Sequence, residues 1–235
     1  MMKTIIHKAA SRGTANFGWL DSKHTFSFGR YYNPERMGFG ALRVLNDDIV
    51  TPGMGFGTHS HDNMEIVSIP LSGDLEHKDS TGNTEVIRTG DVQIMSAGSG
   101  LTHSEYNHSK ENPVNFLQIW ILPKVKNITP RYQQITFDES GRSNKIQTVV
   151  APDDEKALWI NQDAWFSLAD LDGGRSLEYI KHDKYSGIYV FVLEGAIDIS
   201  GEALGKRDAI RISESENINI NAAVDSKLLI LEVPM

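Results

Sequence analysis

A chain of 235 residues is long enough for one large β-structure or for two compact units, and 40% hydrophobic with 23% charged residues is an ordinary globular balance. The formal net charge of −8 argues against a general nucleic-acid or anionic-membrane binder, because such proteins need clustered Lys and Arg. The absence of Cys excludes disulfides and thiolate-bound zinc. No apolar run has the length of a membrane span or a secretory signal, so we expect a cytoplasmic protein with no membrane partner.

Short segments rich in Val, Ile, Phe, Tyr and Thr are separated by Gly along the chain, which is typical of many strands joined by turns. In chain order, strands are predicted at 25–28, 65–69, 115–121, 187–193 and 227–231. Pro70 continues the second of these strands, and because proline cannot donate to a sheet, we expect an edge position or a bulge there. Helical patterns are limited to 152–158 and the region of Glu214. The sequence therefore predicts a mainly β fold.

Two segments of the first half recur in the second half in the same order. The stretch 66–75, with a turn at Gly73, resembles 189–197, with a turn at Gly195. The stretch 90–96 resembles 207–213, and the members of each pair are separated by about 120 residues, which indicates a duplication. We therefore predict two β-barrel (jelly-roll) domains in tandem, at 1–135 and 136–235.

Two Gly-rich segments of the first half carry the residues that could bind a metal ion. His59 and His61 are two positions apart, as are His103 and Glu105, and residues at that spacing share one face of a strand. Imidazole and carboxylate donors suit divalent Fe, Mn, Cu, Ni or Zn. Four such ligands would leave an octahedral ion two open positions. The spacing alone also permits Glu65 as a ligand in place of Glu105.

A single His-x-His pair is commonly just a solvated pair on a strand, so the position of the other histidines matters. The chain has 8 His, and three of them fall in these two segments. The rest show no comparable spacing, and we expect surface or hydrogen-bonded core positions for them: His7, His24, His77, His108 and His182.

The chain from about residue 3 to residue 135 resembles the pirin family of the cupin superfamily. The stretches that carry this resemblance are GWLDS at 18–22, HTFSFG at 24–29, GFGALRVLNDD at 38–48, the first metal segment at 53–65 and MSAGSGLTHSE at 95–105. The resemblance implies a bicupin fold, a single divalent metal per chain, expected to be Fe(II), and the ligand set His59, His61, His103 and Glu105. It leaves Glu65 as a partner that orients a ligand or as a solvent-facing residue. Through the C-terminal half the resemblance is only general.

The second half lacks the residues that a second metal site would need. The positions that correspond to the first metal segment, counted back from Gly195, are Lys181 and Asp183. The counterpart of the second segment, at 214–217, contains no His. We therefore expect the domain at 136–235 to have no metal site.

The resemblance implies an enzyme of the quercetin 2,3-dioxygenase type, which cleaves a flavonol with O₂, and eukaryotic pirins also act as nuclear transcription cofactors. A small aromatic polyphenol and O₂ are then the expected substrates, with Glu105 also acting as the catalytic base. The alternatives are a non-catalytic metal-binding regulator that acts through a protein partner, without direct nucleic-acid contact, and a metabolite-binding cupin. Gln118 is predicted to face the metal, and an aromatic pocket or the ordinary core is predicted for Phe26, Phe28, Phe39 and Phe56.

Overall fold

The computed structural model describes residues 2–235, which form β-strands almost throughout. The strands of the first half are β1 (Lys3–His7), β2 (Gly13–Asn16), β3 (Leu20–His24), β4 (Leu42–Val50), β5 (Gly55–His61), β6 (Glu65–Ser72), β7 (Leu75–Asp79), β8 (Thr84–Ile87), β9 (Asp91–Ser96), β10 (Leu101–Asn107), β11 (Val114–Ile121) and β12 (Arg131–Thr136). Those of the second half are β13 (Gln147–Ala151), β14 (Leu158–Trp159), β15 (Trp165–Leu171), β16 (Ser176–Ile180), β17 (Ser186–Glu194), β18 (Ala196–Ile199), β19 (Glu202–Gly205), β20 (Ala209–Ser213), β21 (Asn217–Ala222) and β22 (Ser226–Pro234).

Helices in this part of the chain are single 3₁₀ turns at Ala9–Ser11 and Glu139–Gly141. No helix within residues 2–235 has the length and apolar character needed to cross a membrane. The helix predicted at 152–158 is wrong, because residues 152–157 form bends and turns and Leu158 begins β14. The region of Glu214 is also not helical: Glu214 has a left-handed backbone (φ 60°) in the turn between β20 and β21.

The strands form two jelly-roll domains, each with a seven-stranded and a four-stranded sheet. In the first domain the sheets have the orders β12-β9-β6-β11-β4-β3-β2 and β5-β10-β7-β8. In the second they have the orders β1-β20-β17-β22-β15-β13-β14 and β16-β21-β18-β19. The predicted mainly β, tandem jelly-roll fold is confirmed, although the sheets of each domain are not closed into one barrel.

The two domains exchange contacts at the ends of the chain. A division at residue 135 assigns β1 to the first domain, whereas β1 pairs with β20 in the second domain's sheet, from Lys3 opposite Ser213 to His7 opposite Ala209. At the other end, the backbone N–H of Ala41 donates to the carbonyl oxygen of Pro234 at 2.9 Å.

The central strands of both seven-stranded sheets alternate between two apolar environments. On β6, Val67 and Ile69 belong to the core between the domains, which also includes Leu229 and Leu231 of β22. Ile66 on the opposite face belongs to a cluster inside the first domain. Successive side chains of a strand point to opposite faces, so the buried positions on such a strand face either the partner domain or the interior of their own domain.

Pro70 lies in the part of β6 that no longer pairs with β9. The pairing of β6 with β9 ends at Ser68, and its pairing with β11 shifts register between Asn115 and Phe116, beside Pro70. The predicted bulge is therefore confirmed. The strand predicted at 25–28 is wrong: β3 ends at His24, and the chain then bends so that Phe26 enters the core between the domains.

A buried ion-pair network joins the two domains at Asp47. Its Oδ2 lies 3.0 Å from Nε of Arg207 in the second domain and 3.3 Å from Nη1 of Arg12. We expect Asp47→Ala to lower the free energy of unfolding by about 3–5 kcal/mol, because two largely buried guanidinium groups lose their counter-charge. Asp163→Ala, which removes the exposed partner of Lys124, should cost about 1 kcal/mol or less. Urea unfolding measures both, and equal losses in the two variants would contradict the prediction.

Candidate metal centre

The sequence-predicted ligands come from two adjacent strands of the first domain's four-stranded sheet. β5 ends with His59 and His61, and β10 carries His103 and Glu105. The strands pair antiparallel with His103 directly opposite His59, and a register shift follows between His103 and Glu105. The alternation along each strand places these side chains on the face that lies toward the interior of the domain.

The three histidine side chains converge on one point. Their rings are separated by 4.9 Å for His59 and His61, 4.4 Å for His59 and His103, and 4.9 Å for His61 and His103. One ligand nitrogen from each lies within 4.8 Å of the others. Nδ1 of His59 donates to the Gly57 carbonyl at 2.8 Å, which leaves its Nε2 for an ion.

The surroundings of His103 indicate that a ligand belongs at this point. His103 is buried, and neither of its ring nitrogens has a hydrogen-bond partner within residues 2–235. Burial, reinforced by His59 and His61, lowers the pKa of His103 to about 2, and burial lowers that of His61 to about 4. Both imidazoles are therefore neutral at pH 7, the form that coordinates a metal. The cluster fits a divalent transition-metal ion.

Glu105 lies beside the three histidines but belongs to a second group. Its ligand oxygen lies within 4.8 Å of ligand atoms of His77 and His103. Nε2 of Gln118 donates to its Oε2 at 2.7 Å, and the Ser68 hydroxyl donates to its Oε1 at 3.2 Å. Burial raises the pKa of Glu105 to about 7, although both hydrogen bonds oppose the shift. The arrangement holds one carboxylate at the edge of the histidine cluster.

His77 is a neighbour of this site that the sequence did not place there. It is a hydrogen-bonded core residue, with its Nε2 3.0 Å from Oδ2 of Asp79 and its ring 4.7 Å from that of Tyr132. It sits opposite Glu105 in the pairing of β7 with β10. The sequence spacing between His77 and the predicted ligands has no regularity. Only the pairing register of β7 with β10 shows that His77 lies beside Glu105.

Glu65 faces the other side of its sheet. It shares a face of β6 with Val67 and Ile69, toward the second domain. Its Oε2 accepts hydrogen bonds from the Ser96 hydroxyl at 2.7 Å and from the backbone N–H of Asn161 at 3.2 Å. Glu65 therefore faces away from the histidine cluster and bonds to other partners.

A cavity of about 790 Å³ opens beside the cluster, within the range of small-molecule sites. His59, His61 and Glu105 form part of its lining, together with Gln118, as predicted for that residue. Its apolar walls come mainly from Phe17, Trp19, Leu20, Phe28, Tyr31, Phe56 and Trp120. Of the four phenylalanines singled out in the sequence, Phe28 and Phe56 line the cavity, whereas Phe26 and Phe39 lie in the core between the domains.

Several polar residues of the cavity were not predicted from the sequence. Asp48 is buried in its wall and accepts a hydrogen bond from the Ser22 hydroxyl. Burial raises the pKa of Asp48 to about 7. Asp47, the preceding residue, faces the opposite way toward Arg12 and Arg207. The sequence carries one signal for Asp48, which is the polar run at 46–48 inside a mostly apolar strand.

The interior of the second domain has a different arrangement. The two groups of three metal-ligand atoms found in residues 2–235 both lie in the first domain. In the second, Glu232 is buried and accepts hydrogen bonds from the hydroxyls of Tyr179 at 2.9 Å and Ser186 at 2.5 Å. Burial alone would raise the pKa of Glu232, but hydrogen bonds from the side chains of His182 and Ser186 and from the backbone N–H groups of His182 and Asp183 lower it to about 2. Trp165 stacks on the His182 ring at 4.7 Å.

Comparison with known proteins gives matches along nearly the whole chain. Residues 6–121 match the family model described as Pirin, and residues 148–233 match that described as the quercetinase C-terminal cupin domain. A quercetin 2,3-dioxygenase of Escherichia coli (strain K12) is 43% identical over 232 residues, covering 97% of this chain and 98% of that relative. A pirin-like protein of Caulobacter vibrioides is 39% identical over 222 residues, covering 94% and 95%. The solved structure of the bacterial pirin YhhW from Escherichia coli, in complex with nickel(II), superposes with a TM-score of 0.93 at 40% identity and covers 99% of both chains.

Proposed function

Because the chain belongs to the pirin family of cupin proteins, we propose that it is a metal-dependent dioxygenase that cleaves a flavonol such as quercetin with O₂. The observation that carries this proposal is the convergence of three imidazoles at an aromatic cavity, whose wall includes His59 and His61. A metal ion bound there is accessible to a ligand in the cavity. Full-length similarity to a quercetin 2,3-dioxygenase supports the choice of substrate class.

We propose one divalent transition metal per chain, held by His59, His61, His103 and Glu105. When bound, the ion would supply Lewis-acid stabilisation of the negative charge on the substrate oxygens. Fe(II) is the expected ion, while nickel(II) is the ion named for the YhhW relative. Both ions accept imidazole and carboxylate ligands.

The residues of the cavity would bind and deprotonate the substrate. Its aromatic walls, among them Trp19 with Phe56 and Phe28 with Trp120, offer flat surfaces for the rings of a flavonol and exclude water. A flavonol reacts with O₂ after its 3-hydroxyl has lost a proton. Glu105 lies at the junction of the cluster and the cavity and would accept that proton at a carboxylate oxygen.

Metal analysis followed by an O₂-uptake assay tests the function. We expect one equivalent of metal per fully loaded chain, and O₂ consumption that requires both metal and quercetin. Quercetin methylated at the 3-hydroxyl is the matched control substrate, and it should support no uptake because it has no proton to lose at that oxygen. Absence of turnover with Fe, Mn, Cu, Ni and Zn would favour the non-catalytic, regulatory alternative. Two equivalents of specifically bound metal would contradict the single site.

A further inference from the structure

A row of polar side chains crosses the cavity wall away from the histidine cluster. Gln118 on β11 is directly opposite Asn46 on β4, which is in turn opposite His24 on β3. Two residues further along β4, Asp48 is opposite Ser22 of β3. All five line the cavity, and we call them the polar row: Ser22, His24, Asn46, Asp48 and Gln118.

Two members of the polar row are buried without a partner. Asn46 is 2% exposed and His24 is 4% exposed. Neither Oδ1 of Asn46 nor Nδ1 of His24 has a hydrogen-bond partner among the residues that the structure describes. Buried polar atoms are nearly always hydrogen-bonded in folded proteins. Because these two atoms belong to residues that line a cavity, a ligand in that cavity could supply the missing hydrogen bonds.

The polar row continues from the proposed metal centre. Gln118 donates a hydrogen bond to Glu105, so one end of the row touches the residue at the cluster's edge. Neighbouring strands are about 4.8 Å apart, which places His24 roughly 10 Å from Gln118. That distance corresponds to a molecule of two or three fused or linked rings, held at one end near the histidines.

The surroundings of the polar row favour an aromatic ligand. The Phe28 ring packs edge-on against both His24 (5.1 Å) and Trp120 (5.3 Å). Trp120 also borders His61 of the cluster, at 4.9 Å between ring centroids. A flat ring that lies along these side chains would present its edge, with any hydroxyl groups on it, to Asn46, His24 and Asp48.

We propose that the polar row is a second recognition subsite, which binds hydroxyl groups on the part of a polyhydroxylated aromatic ligand that does not contact the metal. The orientation of the ligand rests on the proposed function, since it assumes that the other end lies at the histidine cluster. The Asp48 carboxylate accepts hydrogen bonds from ring hydroxyls, and Asn46 and His24 pair with the same or adjacent hydroxyls. The subsite makes the protein selective for the hydroxylation pattern of its ligand.

Binding of two flavonols to the metal-loaded protein tests the subsite. Quercetin and 3-hydroxyflavone share the 3-hydroxyl and the keto group, but 3-hydroxyflavone lacks the other ring hydroxyls. Without O₂, titration monitored by the fluorescence of the cavity residues Trp19 and Trp120 should show quercetin binding at least about tenfold more tightly, as one or two hydrogen bonds to buried groups would give. Asn46→Leu and Asp48→Asn should each weaken quercetin binding by about tenfold and leave 3-hydroxyflavone binding unchanged.

Gln93→Leu is the matched control. Gln93 is a buried amide whose Nε2 also lacks a partner in the described chain, but it does not line the cavity, so neither affinity should change. Equal affinities of the wild type for the two flavonols, or failure of both to bind, overturns the subsite even if a variant does not fold. So does an equal loss for both ligands in Asn46→Leu. If the protein binds quercetin more tightly than 3-hydroxyflavone but consumes no O₂, the subsite is supported and only the proposed enzymatic activity is contradicted.

Discussion

Replacing His103 with alanine is expected to lower metal affinity more than about a hundredfold, since groups that merely orient a ligand are already worth about 10–100-fold. His103 is the most buried of the three clustered histidines, and both of its ring nitrogens lack protein partners. Its loss removes the one nitrogen donor that β10 contributes to the cluster. Metal content after dialysis against a competing chelator, with a fluorescent competitor for the dissociation constant, measures the effect.

His182→Ala is the control for this experiment. His182 stacks on Trp165 and contacts Glu232 in the second domain, so its removal changes the packing there without touching the cluster. We expect unchanged metal affinity in this variant. Near-normal affinity after loss of His103, or a large decrease after loss of His182, would show that the ion is bound elsewhere.

Replacing Glu105 with glutamine is expected to lower quercetin turnover by about 10²–10⁴-fold, the usual contribution of a general base. The amide oxygen of glutamine can still coordinate an ion and can still accept the hydrogen bond from Gln118, so the variant should retain part of its metal. It cannot take up the substrate proton at neutral pH. Metal content and quercetin-dependent O₂ consumption, measured on the same sample, separate loss of the ion from loss of the base.

Glu65→Gln provides a matched comparison for Glu105→Gln. Both glutamates are 1% exposed, and both accept a hydrogen bond from a serine hydroxyl, but Glu65 faces the second domain. We expect turnover of this variant to stay within a few-fold of the wild type. Retained metal with near-normal turnover in Glu105→Gln would remove Glu105 from the proton transfer. If Glu65→Gln lost more turnover than Glu105→Gln, the general base would lie on β6 and not on β10.

Local patterns in the sequence were sufficient to predict much of the fold. The strands that contain 65–69, 115–121, 187–193 and 227–231 have apolar residues at successive positions because most of each strand is buried on both faces, against its own domain and against the partner domain. Period-2 spacing predicted which face the paired residues of β5 and β10 share. Both signals depend only on neighbours within one strand.

Features that depend on contacts between distant strands were not predicted. His77 reaches Glu105 only through the register of β7 with β10, and Asn46 reaches Gln118 only through that of β4 with β11. The segment 25–28 has the composition of a strand, yet Phe26 leaves the sheet to pack against Tyr189 of the other domain. Tertiary packing there outweighs the local preference of the residues for a strand.

The pairing of β1 with β20 also governs the order in which the protein can fold as it is synthesised. Lys3 bonds to Glu214, 211 residues later in the chain, so β1 leaves the ribosome long before its partner exists. The seven-stranded sheet of the first domain contains no strand from beyond β12 and can form during that interval, with β1 extended and unpaired. β1 can complete the edge of the second domain's seven-stranded sheet only after β20 has been made. A chain translated from residue 136 onward would leave β20 as an open edge, on which a second copy could add a strand.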